Sequence, residues 1–452
     1  MRRIFRSVLA NVIALTVMVT GTSPAEAQRR ELIRDAEIEA TIRDFATPLF
    51  QAAGLNPRAV DIYIVKDDVL NAFVAGGQNL FLHTGLLLST KGPLELIGVI
   101  AHETGHIAGG HLARTSDAVR SASKSALIAL VLGAAAAVAS GQPGAAAAVA
   151  LGGQSVAQRS FLEYSRTQES AADQAALRYL DQTDQSAAGL ASFLETLSSQ
   201  ELLSSSRRPA YLNTHPLTRY RVDSVEAHLA RSRLKDAPPD PELVRRHDRM
   251  VAKLYAFLKA PSQTFRKYPS DDTSVPARYA QAIAYYELPD MPKALAIVRG
   301  LIADYPDDPY FHELEGQILF ESGFAADAVA PYRRAQELAP KAGQIQVALG
   351  QALLALNQPD ADAQALVYLE TAIKTEVEWG FAWHQLAIAL GRNGRFGESA
   401  LALAEQAMRA GRWRDAEQQA KRAQAQMPAG SPAALRALDI EEQAKRERVG
   451  RN

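Results

Sequence analysis

Cysteine is absent from this chain of 452 residues. That excludes disulfides, cysteine nucleophiles, thiolate metal centres and a lipidated N-terminal cysteine. Any metal must be held by histidine and carboxylate, a donor set that suits zinc in a catalytic rather than a structural site. Surplus charge is missing too: 49 Lys and Arg stand against 50 Asp and Glu, a formal net charge of −1. Nothing therefore draws the whole molecule to nucleic acid, and that class of function is set aside. Apolar runs fall short of the roughly 20 residues that a spanning helix needs. What is present, 47% hydrophobic and 22% charged residues, is ample for globular cores, and the length suggests about three domains.

Residues 1–27 have the layout of a signal peptide. Arg2, Arg3 and Arg6 precede an apolar run from Val8 to Val19, and Ala25-Glu26-Ala27 supplies a small-residue cleavage site before Gln28. A second apolar region, 125–157, consists largely of alanine, valine, leucine and glycine, interrupted by Ser140-Gly141-Gln142-Pro143-Gly144. It reads as a helical hairpin that is buried or touches a membrane surface peripherally; two true spans are the competing reading.

Between them lies Ala101-His102-Glu103-Thr104-Gly105-His106, an HExxH pattern in a helix expected from Pro93 to Leu112. Histidines four apart leave a helix from one face, one turn apart, and can hold one metal ion. Glu103 then stands where its carboxylate can take a proton from an attacking water. A buried helix with two incidental histidines would need the same apolar flanks, so further ligands decide. Glu169 and Asp173 share a face of a later helix, where one carboxylate can bind metal and the other steady a ligand histidine. His111 misses the third-histidine spacing of HExxHxxGxxH by one residue and reads as packing or as support. His215, before Pro216 and ahead of a helix expected from Thr218 to Ala230, is by itself an ordinary loop residue.

Around these residues the pattern predicts a helix over 30–53, strands over 60–65, 72–75 and 80–83, and a short helix at 85–88 capped by Thr84. After a boundary at Asp236 to Pro241 and a bridging helix from Leu243 to Leu258, a period appears. Pro306 and Pro340 lie 34 residues apart, with small residues Ala282, Ala294, Gly316 and Ala328 where tetratricopeptide helices cross. A third unit carries an insertion near Asn357 to Asp362, a fourth begins near Trp383, later helices through Ala416, Ala420 and Ala423 look irregular, and Pro432 to Arg448 caps the stack.

HExxH, Glu169-x-x-Ala172-Asp173, and His215-Pro216 with Arg221 together resemble the gluzincin peptidases of the HtpX and CAAX-prenyl-protease type. The resemblance implies an α+β gluzincin-type metalloprotease domain over 28–235, a linker and bridging helix over 236–270, and an all-α TPR solenoid over 271–452. It implies that His102, His106 and Glu169 bind one zinc ion per chain, that Glu103 is the general base and that Asp173 orients a ligand. His215 and Arg221 would lie at the active site, either one steadying the oxyanion, or His215 instead filling the open metal position as a gate. Asn71-Ala72-Phe73 match the substrate-side strand, although Ala75 replaces the proline usual before the paired glycines, and Thr104 a more often aliphatic residue.

Exported members of that group with helical repeats imply a periplasmic location and unfolded or misassembled outer-membrane proteins as clients. They also imply contact with the β-barrel assembly machinery through the repeats. A chaperone or scaffold with a latent or vestigial metal site is the rival reading.

Overall fold

The computed structural model describes residues 31–111, 165–201 and 211–449. The expected signal peptide and the apolar stretch 125–157 lie outside them. Strand β1 (Leu32–Ile33) opens the described chain and helix α1 (Ala36–Ala52) follows. The helix expected from residue 30 starts later because Asp35 is extended and its side chain accepts from Ile38 N, capping the helix at that point.

Strands β2 (Asp61–Val65), β3 (Ala72–Ala75) and β4 (Asn79–His83) complete a sheet of order β1-β2-β4-β3. The β3–β4 hairpin turns through Gly76 and Gly77, both at positive φ, whereas β2 and β4 pair in parallel. Ile64, Ala72, Leu80 and Leu82 bury one face in a core shared with α1 and the motif helix. On the other face Tyr63, Phe81 and Phe73 stack at centroid spacings of 5.0 and 4.9 Å. This order leaves β3 at an edge of the sheet.

Helix α2 spans Thr84–Ser89 with His83 as its N-cap. Thr84 is thus inside the helix rather than its cap, and its hydroxyl instead exchanges hydrogen bonds with the backbone of Asp67. The motif helix α3 (Pro93–Ala108) stops short of Leu112, because the chain turns at Gly109 and Gly110, the latter at φ 61°. Thr104 is accommodated in it by bonding its hydroxyl to Ile100 O at 2.7 Å.

A helix over residues 165–182, here α4, crosses α3 closely. A Cβ on Gly105 would lie 2.8 Å from Ala172 O. Next come α5 (Ala188–Glu201), the single turn α6 (Tyr211–Thr214) and α7 (Arg219–Arg231), capped by Thr218. The bridging helix α8 (Pro241–Leu258) and α9 (Pro261–Lys267) lead into the repeats.

Helices α10 (Val275–Glu287) and α11 (Met291–Asp304), α12 (Pro309–Glu321) and α13 (Ala325–Leu338), α14 (Gly343–Ala355) and α15 (Pro359–Ala372), and α16 (Gly380–Arg392) and α17 (Phe396–Arg409) form four helical hairpins. Small residues sit at the crossings: Gly316 faces the Tyr332 ring, and Ala282, Ala294 and Ala328 are fully buried. The expected insertion at Asn357 to Asp362 is absent, because Pro359 opens α15 directly. The extra residues fall after α15, over 373–379. Nor are the last helices irregular: α18 (Trp413–Ala425) packs between α17 and α19 (Pro432–Val449) through Ala416 and Ala420.

The repeats grip the start of α1. Ala36 packs with Ala335 and Ile345. Arg249 and Lys253 of α8 meet buried Glu37, and Tyr279 donates to Glu37 Oε2 at 2.8 Å. No described helix is long and apolar enough to cross a membrane.

Candidate metal centre

Helix periodicity puts His102 and His106 on the face of α3 that meets α4, and the glycine crossing at Gly105 lets α4 bring Glu169 and Asp173 within reach. The two Nε2 atoms lie 3.1 Å apart, and each is 3.3 Å from a Glu169 oxygen. His215, just past α6, adds its Nδ1 at 3.4 Å from His102 Nε2 and 3.2 Å from both Glu169 oxygens.

Four donors around zinc at about 2.0–2.1 Å would stand about 3.3 Å from one another, so this set fits a tetrahedral ion. Charge fits as well. Glu103, Glu169 and Asp173 are buried with Arg221 as their partner guanidinium, which leaves two formal negative charges for a divalent cation to balance. Among the described residues these four form the group able to hold a metal.

The supports run one layer out. Asp173 Oδ1 sits 2.9 Å from His102 Nδ1, fixing the ring so that Nε2 faces the donor cluster. Arg221 grips Asp173 through Nε and Nη2 at 2.6 and 2.9 Å, and its Nη1 reaches Glu169 Oε2 at 2.9 Å and Pro216 O at 3.0 Å. Its guanidinium thus engages both carboxylates and the Pro216 carbonyl. His111 Nδ1 lies 3.0 Å from His106 Nδ1, on the side away from the donor cluster, so it supports a ring rather than joining the ligands.

Protonation follows this layout. Burial alone would push the His102 imidazole down, but the Asp173 and Glu169 carboxylates hold it up at about 9. His106 is pushed down by burial. Burial would raise the carboxyls of Glu169 and Asp173, yet histidine and Arg221 contacts hold both well below the usual carboxylate range. The pocket demands positive charge, from protons or from a metal.

Glu103 is fully buried one position from His102, with Oε1 3.4 Å from His215 Nε2. Its Oε2 has no hydrogen-bond partner among the described residues. Tyr211, a residue the sequence did not single out, stacks on the His215 ring at 4.4 Å and donates to Glu103 Oε1 at 3.5 Å. The available signal was its place four residues before His215, one helical turn away. On the other side of the site, Ala72 is buried in the core, Phe73 lies in the ring stack, and Asn71 is buried with Oδ1 unpartnered among the described residues.

Residues 32–229 match the model of Peptidase family M48, and the helical repeats follow that stretch. Over 360 residues it is 25% identical to a β-barrel assembly-enhancing protease of Yersinia pestis, covering 76% of this chain and 70% of that protein. It is 24% identical over 352 residues to the protein of that name from Escherichia coli strain K12, covering 74% and 69%. A shorter match, 26% over 192 residues, reaches the mitochondrial metalloendopeptidase OMA1 of Schizosaccharomyces pombe, covering 42% of this chain and 53% of that one. Among solved structures, the TPR protein YrrB aligns with 42% of this chain and 93% of its own at 17% identity and a TM-score of 0.30.

Proposed function

We propose that this protein is a zinc-dependent endopeptidase of the periplasm that acts in outer-membrane protein assembly and quality control, cleaving misassembled β-barrel clients. Four donor atoms and an orphaned carboxylate oxygen in one buried pocket carry the reading. Zinc held by His102, His106 and Glu169 would supply Lewis acidity, polarising the scissile carbonyl and acidifying water. Glu103 takes a proton from the attacking water at its free Oε2 and returns it to the leaving amine. Asp173, itself clamped by Arg221, keeps the His102 ring aimed.

An extended client segment adds antiparallel to the edge strand at Ala72 and Phe73, and the Asn71 amide oxygen accepts one of its backbone N–H groups. The names of the relatives support the client class, and the N-terminal signal pattern supports export. His215 stands at the fourth corner of the donor set, which favours the gate over the oxyanion role. In this position it excludes water, and Tyr211 holds the ring there until a client moves it.

That same closed corner favours, as a second reading, a TPR scaffold whose metal site is latent. Zinc content and cleavage of an unfolded outer-membrane protein separate the two in wild type, Glu103→Gln and His215→Ala. Stoichiometric zinc with cleavage lost in Glu103→Gln and increased in His215→Ala supports the gated peptidase. Equal cleavage by wild type and Glu103→Gln refutes it, and zinc without cleavage by wild type or His215→Ala leaves the scaffold.

A further inference from the structure

The inner face of the repeats is already occupied by a piece of this chain. Arg34, between β1 and α1, places its guanidinium over the Trp379 ring at 5.4 Å and pairs with Glu376 and with Glu39. Glu376 and Trp379 belong to the 373–379 segment between α15 and α16. Gly343 makes room for that segment, since a Cβ there would lie 2.4 Å from Thr375 Oγ1 and 2.7 Å from Glu376 Cγ.

Cavities open on both sides of the arm. One, of about 490 Å³, is lined by Arg34, Glu313, Gln317, Glu321, Gln351 and Trp379 among others. The second, of about 620 Å³, is bordered by Glu39, Tyr310, Gln344 and Glu376. Upstream, the arm is held to β2 by the two residue pairs of β1 and by Glu31, whose carbonyl and carboxylate both accept from Lys66.

We propose that Glu376 and Trp379 form an arginine-reading site on the inner face of the repeats, that Arg34 is its resident occupant, and that an arginine in an extended client segment replaces it. This rests on the proposed peptidase function and adds to it that the repeats, whose stacked helices offer a long binding surface, also hold the client. The chemistry favours arginine over lysine: a planar guanidinium lays its whole face on the indole while N–H donors at its edge bond the carboxylate, whereas an ammonium offers only a point charge to each. The flanking cavities, with amide and carboxylate walls, leave space for residues before and after that arginine. A resident arm lowers apparent client affinity by the fraction of molecules in which the site is free, so the contact is also autoinhibitory.

A fluorescently labelled peptide of the sequence Glu31 to Ala40, titrated by anisotropy into the full mature protein, tests this. Arg34→Ala vacates the site and raises peptide affinity about tenfold, whereas Arg34→Lys raises it less. The gain disappears when the peptide's arginine is alanine, or when Glu376→Gln is added to Arg34→Ala. Thermal unfolding of each variant shows that the fold persists. An unchanged affinity in Arg34→Ala, or an equal gain for the alanine peptide, overturns the arginine site.

Photocrosslinking of an unfolded outer-membrane protein separates the two levels. Crosslinks on the repeats without the peptide gain overturn the arginine site alone; no crosslinks on the repeats overturn the client reading and the client half of this inference with it.

Discussion

Replacing Gly105 by alanine should damage the metal site from behind. The added Cβ would stand 2.8 Å from Ala172 O and 3.0 Å from Ala172 Cα. Ordinary contact needs about 3.4 Å or more, so α4 must retreat from α3 by about half an ångström. The fold itself tolerates this: overpacking costs about 1–3 kcal/mol, and losing a mid-helix glycine returns about 1 kcal/mol. The donors do not tolerate it, because Glu169 rides on α4 while His102 and His106 ride on α3, and metal bonds hold to about 0.2 Å.

Zinc affinity should fall about 10- to 100-fold, the range seen when groups around a metal are disturbed. At a fixed zinc concentration well above Kd that removes about 1.4–2.7 kcal/mol of metal-linked stability, or roughly 3–10 °C in the Tm of the loaded protein. Chelator competition gives the affinity, and unfolding with and without zinc separates the metal effect from packing. Equal zinc affinity in Gly105→Ala and wild type, with only the metal-free form destabilised, would refute the coupling of this crossing to Glu169.

Asp173→Asn should lower zinc affinity by a similar factor, and by leaving the Arg221 guanidinium buried with its main partner gone it should cost about 3–5 kcal/mol in urea unfolding. Gly316→Ala presses a methyl to within 2.7 Å of the Tyr332 ring and should destabilise the repeats by about 1–3 kcal/mol, read as faster amide exchange in α12 and α13. At the domain junction, burial pushes the Glu313 carboxyl up to about 7, helped by Asp35 and Glu37 and opposed by Lys253. The stability linked to that proton is fully present below about pH 4.5 and is lost as pH rises through 7, amounting to at most about 3 kcal/mol. Glu313→Gln should therefore flatten the stability profile between pH 5 and 8 and be more stable than wild type at pH 8.

Local chemistry was the legible part. The ends of β3 and the start of α3 follow from alternation, paired glycines and an N-terminal proline, all short-range signals. Two-residue β1 has no period to read, and the parallel pairing of β2 with β4 depends on a crossover that no local pattern encodes. Asn357-Gln358-Pro359-Asp360 looks like an inserted loop, yet the proline is merely the first residue of α15. The turns over 373–379 are where the chain departs from its repeat. At the site, the HExxH spacing brings His102 and His106 onto one face without help. The meeting of Glu169, His215 and Arg221 with that face depends on tertiary packing, and Tyr211 gave no sign in the sequence beyond its distance from His215.

The donor set also has a mechanical meaning. His102 and His215 are 113 residues apart in sequence, and Glu169 lies 46 before His215. An ion gripping all of them would tie three distant stretches of chain into closed loops. By the chain-entropy estimate a single tie of that length restrains the unfolded state by about 5 kcal/mol. In a protein without one cysteine, the metal would be the covalent staple's substitute, and its removal would slacken the peptidase domain as reduction slackens a disulfide-bonded one.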